Sequence, residues 1–355
     1  MISTDRGLFD LQSGVSKRFK NYSKIFEELH VIVFTKKGHE KVQISDNVFI
    51  YPTNSFSKLN YVHDAVVIGR NLKGDVVSAQ DTFLTGISAF RLSGILKSKF
   101  HLQIHTDIFS ENFKKHSILN QSHVFIAKLL LKKADGVRVV SKRIAESLKK
   151  LNLKIETFVL PIAVDLESFN KEEQKLDKKF VYNILTVARF ESEKNVGLAI
   201  EVFAKIVSQR SDVGLTIVGG GSLENELKNL ATNFGVSEKI NFVGKISNVS
   251  DYYKNADVYI QTSKYEGYGM SLVEAAYVGL PIVTTDVGIV GEVLVDGGSC
   301  LVAKDNPEDF STKIIQLLDD DILRQSLGGR ARESAVNHLQ SEEQYLDNFK
   351  KAFSI

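Results

Sequence analysis

From Asp257 the chain reads Asp-Val-Tyr-Ile-Gln-Thr, then Ser-Lys-Tyr-Glu-Gly-Tyr-Gly-Met-Ser-Leu-Val-Glu-Ala-Ala-Tyr-Val-Gly-Leu-Pro, then Ile-Val-Thr-Thr, ending at Thr285. Two short apolar runs bracket a glycine-bearing loop and a helical stretch opening near Met270, a strand–loop–helix–strand unit that belongs in an α/β sheet. A helix start exposes unpaired N–H groups and partial positive charge, so Met270, Ser271 and Leu272 suit a phosphate. Gly267 and Gly269 let a ligand approach the backbone. Glu266 stands at the mouth of this loop and Glu274 on the first turns of the helix. Carboxylates beside an anion site make sense when the ligand also carries hydroxyls, because a carboxylate accepts from a diol. The ligand so implied is a sugar diphosphate attached to a ribose. For either glutamate alone, a plain loop or surface-helix position is the competing reading.

The segment Glu266-Gly-Tyr-Gly-Met-Ser-Leu-Val-Glu274 resembles the E-x7-E motif of retaining GT-B glycosyltransferases, glycosyltransferase family 4 ("group 1"). The resemblance implies two Rossmann-like doubly wound parallel-sheet domains facing across a cleft. It also implies transfer of a sugar from a nucleotide-sugar donor to an acceptor hydroxyl with retention, with no metal and no other cofactor. It extends over nearly the whole chain, strongest from Tyr182 to Thr284 and weakest over the first 75 residues.

Length and composition agree with two soluble α/β domains. A chain of 355 residues exceeds the size at which one core keeps growing. Alternating strand and helix patterns in both halves imply parallel sheets. The single cysteine, Cys300, excludes an internal disulfide and fits a reducing compartment. No apolar run reaches the roughly 18–20 residues that cross a bilayer, and the first residues lack a secretion pattern. A cytoplasmic location is expected. Met1–Thr4 reads as a stub of a strand, so a natural start upstream of Met1 stays open.

The expected organisation is an N-terminal domain over 1–168, a charged linker over 169–180, a nucleotide-sugar domain over 181–340 and a terminal helix over 341–355. The resemblance sends that last helix back onto the N-terminal domain. Residues 1–170 hold 25 Lys and Arg against 16 Asp and Glu, a formal +9; residues 171–355 hold 20 against 27, a formal −7. The basic half suits an anionic partner such as a membrane surface, or is a plain solubility feature. Residues 111–133 interleave lysines with Phe113, Ile118, Phe125 and Leu129. They read either as a helix packed on the sheet or as a basic amphipathic helix lying on a bilayer.

In the second half, a strand from Tyr182 ends at Arg189, and Phe-Glu-Ser-Glu-Lys194-Asn follows. Two cations in a loop at a strand end suit a diphosphate whose charge grows as the glycosidic bond breaks. Arg189 and Lys194 also match the family's R-F-x-x-x-K-N context, where such a pair replaces a metal. Gly219 and Gly220 open the turn after the next strand. A dinucleotide fingerprint fails there, because Glu224 occupies the third glycine position and no acid ends the following strand. The resemblance places Lys245 and Ile246 near the base.

In the first half, strand ends again supply the candidates. The resemblance carries over Gly14, behind Ser13, as a donor-side residue, with a simple helix cap as its rival. Gln80 and Asp81 end a strand and are acceptor candidates, against helix capping for Asp81. His105 ends another strand, and the resemblance gives it a contact with the donor sugar. Asp107 is an acceptor candidate or an orienting partner of His105. Ile162-Ala-Val-Asp165 stands where the family carries Asn-Gly-Val-Asp, and no site is assigned to it. The expected partners are a nucleotide sugar, an acceptor sugar or lipid-linked sugar, and an anionic membrane, with no nucleic acid. Cell-surface polysaccharide or glycolipid synthesis is the expected setting. Rivals are a nucleotide-sugar epimerase or another GT-B enzyme, and a non-catalytic sugar-nucleotide-binding subunit.

Overall fold

Fourteen strands and thirteen α-helices alternate along the described chain. The computed structural model describes every residue except Asp165, Glu173 and Lys178; Asp165 and two residues of the expected linker thus lie outside the described residues. In order the elements are β1 (Ile2–Ser3), α1 (Gly14–Tyr22), β2 (Leu29–Val33), β3 (Val42–Ser45), β4 (Val48–Pro52), α2 (Tyr61–Gly69), β5 (Val76–Ala79), α3 (Leu84–Leu96), β6 (Lys99–Ile104), α4 (Glu111–His116), α5 (Ile118–Leu131), β7 (Gly136–Val139), α6 (Lys142–Lys149) and β8 (Glu156–Val159). There follow β9 (Tyr182–Val187), α7 (Val196–Val207), β10 (Val213–Val218), α8 (Glu224–Asn233), β11 (Ile240–Gly244), α9 (Ser250–Lys254), β12 (Val258–Gln261), α10 (Met270–Tyr277), β13 (Ile282–Thr284), β14 (Leu301–Val302), α11 (Pro307–Asp319), α12 (Asp321–His338) and α13 (Glu342–Ala352).

The first unit comprises Met1–Ala163 with Gln340–Ile355, and the second Val164–Leu339. The boundary precedes the charged stretch expected as a linker. That stretch is held in the second unit by backbone bonds: Gln174 N–H donates to Asp251 Oδ1 at 3.1 Å and Leu176 N–H to Asn255 Oδ1 at 3.2 Å.

In the first unit the strand order is β3-β4-β2-β1-β5-β6-β7-β8. All pairs are parallel except β3 with β4. The chain winds outward in one direction from β1 and in the other from β5, so the switch point lies between these two strands. Leu8, Phe19, Tyr22, Val31, Val33 and Ile50 form a core with Tyr345, Leu346 and Phe349 of α13. Phe349 stacks on Tyr22 at 4.2 Å. The buried Arg138 guanidinium lies 5.1 Å from the Phe349 ring centre and donates to Leu160 O, Pro161 O, Gln103 Oε1 and Tyr345 Oη.

Residues 111–133 form two helices rather than one. Ser117, in extended backbone, caps α5 by accepting from Asn120 N–H, and Asn120 Nδ2 donates back to Phe113 O. Caps of this kind compete with helix continuation.

The second unit has an all-parallel sheet, β11-β10-β9-β12-β13-β14. Its strands are nearly continuous apolar runs because helices cover both faces. Ile184, Leu215, Ile217, Val258 and Val283 meet Phe203, Leu227, Phe310 and Leu317 in one core. Here the switch point lies between β9 and β12.

Candidate functional site

Two loops meet at the β9/β12 switch point and are tied together by their backbones. After β9 the chain makes a short 3-10 turn, Ser192–Lys194. After β12, Lys264 N–H donates to Glu193 O at 2.8 Å, and Thr262 Oγ1 donates to Asn195 O at 2.9 Å. These bonds bring together side chains 72 positions apart. Lys194 Nζ lies 2.6 Å from Glu266 Oε1, with the two side chains only 17% and 11% exposed. Ser263 Oγ and Gln261 Nε2 also donate to Oε1, at 2.9 and 3.3 Å. Three donors therefore share one carboxylate oxygen, and Oε2 has no partner among the described residues. Lys194 keeps N–H groups beyond the one given to Glu266, since an ammonium has three.

Gln261 links this pair to α10. Its Oε1 accepts from Ser271 Oγ at 2.7 Å and from Tyr259 Oη at 3.2 Å. Gly269 precedes α10 and supplies no side-chain cap, so the amides of Met270 and Ser271 stay open to an anion beside the Lys194–Glu266 pair, whereas the Leu272 N–H expected to join them donates to Gly269 O at 3.0 Å. Leu272 turns inward and is buried; Gly267 lies in the loop between Glu266 and the helix start.

Glu274 sits further along α10, with Tyr253 Oη donating to its Oε2 at 2.8 Å. Tyr253 is wholly buried. Burial pushes the Glu274 carboxyl up to about 7, against the opposing pull of the Tyr253 hydrogen bond. A carboxyl in that range both accepts and donates near neutrality.

Arg189 stands at the rim, 72% exposed, with Nη2 3.1 Å from Glu193 Oε1. Exposed pairs of this kind contribute about 0–1 kcal/mol and exchange readily for another anion. Along the same edge, Phe190 N–H donates to Gly220 O at 3.1 Å, and Gly219 N–H to Gly244 O at 3.0 Å. Gly219 has φ +142°, and a Cβ there would stand 1.8 Å from Ala188 O, so no side chain fits. Lys245 follows β11 with its Cβ beside Gly220, and Ile246 comes next. The donor-side candidates of this unit thus line the carboxyl ends of four adjacent strands, β11, β10, β9 and β12.

The first unit's candidates form a separate group. Gln80 and Asp81 follow β5 at its switch point, where Gln80 N–H donates to Ile2 O at 3.1 Å and Ser3 Oγ donates to Gln80 Oε1. Asp81 Oδ1 accepts from Phe83 N–H at 2.7 Å, which is the helix-entry reading of that residue. Gly14 opens α1 behind Ser13, which caps the helix by accepting from Ser16 N–H. His105 ends β6. Burial and the nearby Arg138 and Arg18 cations hold its imidazole down at about 3, hence neutral, and its Nε2 has no partner among the described residues. Asp107 has other neighbours than His105: burial raises its carboxyl, while Ser147 donates to it and the Arg143 cation pulls it back. Ile108 N–H bonds Thr106 O at 2.8 Å, a tight turn that carries Asp107 out of line with the strand.

Gln261, Ser263 and Tyr253 were not among the sequence candidates. Gln261 had a legible signal, a polar residue ending an otherwise apolar strand. Tyr253, 21 positions before Glu274, had none.

Residues 166–334 match the sequence model of the family described as "Glycosyl transferases group 1". An uncharacterized glycosyltransferase of Methanocaldococcus jannaschii is 26% identical over 331 residues, covering 90% of this chain and 89% of that protein. The alpha-monoglucosyldiacylglycerol synthase of Streptococcus pneumoniae is 25% identical over 62% of this chain and 53% of its own length. Among solved structures, Anabaena HepE in complex with UDP-glucose superposes with a TM-score of 0.80 at 16% identity, covering 100% of this chain and 99% of that one. Residues 166–334 thus match a glycosyl transferases group 1 domain, and the Rossmann-like sheets of the two units give the chain the GT-B fold of the glycosyltransferase structures it resembles.

Proposed function

We propose that the chain moves a glycosyl group from a nucleoside-diphosphate sugar to an acceptor hydroxyl with retention of anomeric configuration, in the manner of glycosyltransferase family 4. The observation that carries this is the pairing of Lys194 with Glu266 beside the open start of α10. In this reading the free N–H groups of Lys194, the Arg189 guanidinium and the amides of Met270 and Ser271 take the diphosphate, whose charge rises as the sugar departs. No metal ion is invoked. Glu266 Oε2 accepts from sugar hydroxyls while Oε1 stays held by three donors. Glu274 takes the ribose diol. The leaving phosphate, rather than an enzyme carboxylate, removes the acceptor proton. His105, neutral and with Nε2 open, serves the sugar as a hydrogen-bond partner, and Gln80, Asp81 and Asp107 belong to the acceptor side.

The acceptor is proposed to be a sugar or lipid-linked sugar of cell-surface polysaccharide or glycolipid synthesis. A cytoplasmic location with peripheral contact of the basic first unit at an anionic membrane goes with it. Support comes from the relative named for a diacylglycerol product and the solved neighbour holding UDP-glucose. Among the described residues no helix is long and apolar enough to cross a membrane.

The test is a panel of nucleotide sugars assayed for slow donor hydrolysis, which needs no known acceptor, with product anomers read by NMR. One donor cleaved by the wild type and spared by Glu266→Gln supports the reading. Interconversion of nucleotide sugars without loss of nucleotide points to an epimerase instead, and absence of turnover with every donor to a binding subunit.

A further inference from the structure

We propose that the outer face of α5 seats the first unit on an anionic phospholipid bilayer. This locates the membrane contact put forward above and rests on that reading for its purpose, but not on the transfer chemistry. The inner face of α5 is ordinary: Val124, Ala127, Leu130 and Leu131 are buried. The outer face is not. Ile118, Phe125 and Leu129, spaced by seven and four residues, form one line along the helix, and Leu119 adjoins it. Ile118 is 82% exposed and Phe125 65%. Single exposed apolar residues are common on soluble proteins, but a continuous line of large ones marks a contact surface.

Charge selects the occupant. Residues 111–133 carry five lysines against one acid, Glu111. Lys114 and Lys115 lie in the last turn of α4, both within 4 Å of Glu111; Lys128, Lys132 and Lys133 are exposed towards the far end of α5. Cations bordering a row of inserted apolar side chains match a surface that is apolar inside and negative outside. A second copy of this chain fits less well, because a two-fold pairing of the same face sets five lysines against five.

The orientation of α5 gives the contact a use. His123, halfway along the helix, has its Nε2 3.1 Å from Thr82 Oγ1 and its ring 4.9 Å from that of Phe83. The helix therefore packs beside the end of the sheet where Gln80 and Asp81 sit, with His123 turned toward that end and the apolar line on its outer side. An acceptor carried in the bilayer is delivered to that edge without leaving the lipid surface.

The test is co-sedimentation of the full chain with phosphatidylcholine vesicles, with and without phosphatidylglycerol. The wild type is expected to bind only the anionic vesicles and to release as salt rises. Phe125→Ser with Leu129→Ser, and separately Lys128→Glu with Lys132→Glu, are each expected to weaken binding by about tenfold or more. Their circular dichroism and soluble-donor hydrolysis should be unchanged, since none of these side chains is buried. Glu266→Gln is expected to bind vesicles as the wild type does, so loss of glycosyl transfer and loss of docking are read separately. Equal binding to neutral vesicles, no binding of the wild type, or full binding by both paired variants overturns the proposal. A wild-type dimer that Phe125→Ser with Leu129→Ser breaks into monomers overturns it in favour of self-association.

Discussion

Lys194 and Glu266 form a 2.6 Å ion pair at the junction of β9 and β12, each largely withdrawn from water. The pair joins a cation from one strand end to an acid from another, and both are held from below by backbone bonds between their loops. Removing either partner strands the other, so the two single substitutions should not behave alike.

Lys194→Ala leaves a mostly buried carboxylate with only neutral donors. We expect a loss of stability of about 1–3 kcal/mol and a fall in donor turnover of roughly a hundredfold or more. Glu266→Gln keeps the shape and its Ser263 contact; nucleoside-diphosphate binding should stay within a few-fold of wild type while turnover falls. Thermal melts, calorimetric titration with the nucleoside diphosphate and donor hydrolysis separate the two. Equal loss of nucleotide affinity in both variants would falsify the division of roles.

The Glu274 carboxyl, raised from its ordinary 4.5 to about 7 by burial, binds its proton more tightly in the folded chain than in the unfolded one. Its contribution to stability is therefore fully present below about pH 4.5 and is lost as the pH rises through about 7. Glu274→Gln should remove this dependence and raise stability at pH 8 relative to wild type, by on the order of 1–3 kcal/mol, with a higher melting temperature there, while weakening nucleotide binding. Melting curves of both proteins from pH 5 to 8 test this; parallel curves would show that the carboxyl is not perturbed.

Arg138 is a buried cation whose hydrogen-bond partners among the described residues are all neutral. Replacing it by alanine leaves Leu160 O, Pro161 O and the Gln103 amide short of donors and removes the platform under Phe349. A loss of about 3 kcal/mol or more is expected, concentrated in the first unit. Hydrogen exchange should show α13 and β7 losing protection together while β9 to β13 keep theirs.

Gly219 and Gly14 should respond in opposite ways. Gly219→Ala places a methyl group against Ala188 O at φ +142°, and should destabilise the second unit by several kcal/mol, on the order of 2–4. A Cβ at Gly14 meets nothing within 4 Å, so Gly14→Ala should leave stability unchanged or slightly raised. A donor KM raised several-fold in Gly14→Ala, with the melting temperature intact, marks a glycine kept for a ligand; unchanged kinetics marks a plain helix start.

Local pattern made much of this molecule legible in advance. Apolar runs such as Tyr182–Val187 and Val213–Val218 could only be buried parallel strands, and the loops after them already held Arg189, Lys194, Gly219 and Glu266. The helix at Met270 opened where the glycine and the spacing of its apolar residues put it. What escaped was whatever depends on a partner distant in sequence. The 18-residue α12 has no strong apolar stripe; Gly328 lets its backbone meet Gly279 O, an approach that no periodicity encodes. One amphipathic helix over 111–133 was the natural pattern reading, and Ser117 divides it because its hydroxyl satisfies Asn120 N–H better than another helical turn would. Composition and periodicity decide which stretches leave water, since burial is a property of each residue and its spacing. Which charges then neutralise one another, as Lys194 does Glu266 and as no acid among the described residues does Arg138, is decided by tertiary contact alone, because Coulomb and hydrogen-bond energies act over a few ångströms of space and take no account of distance along the chain.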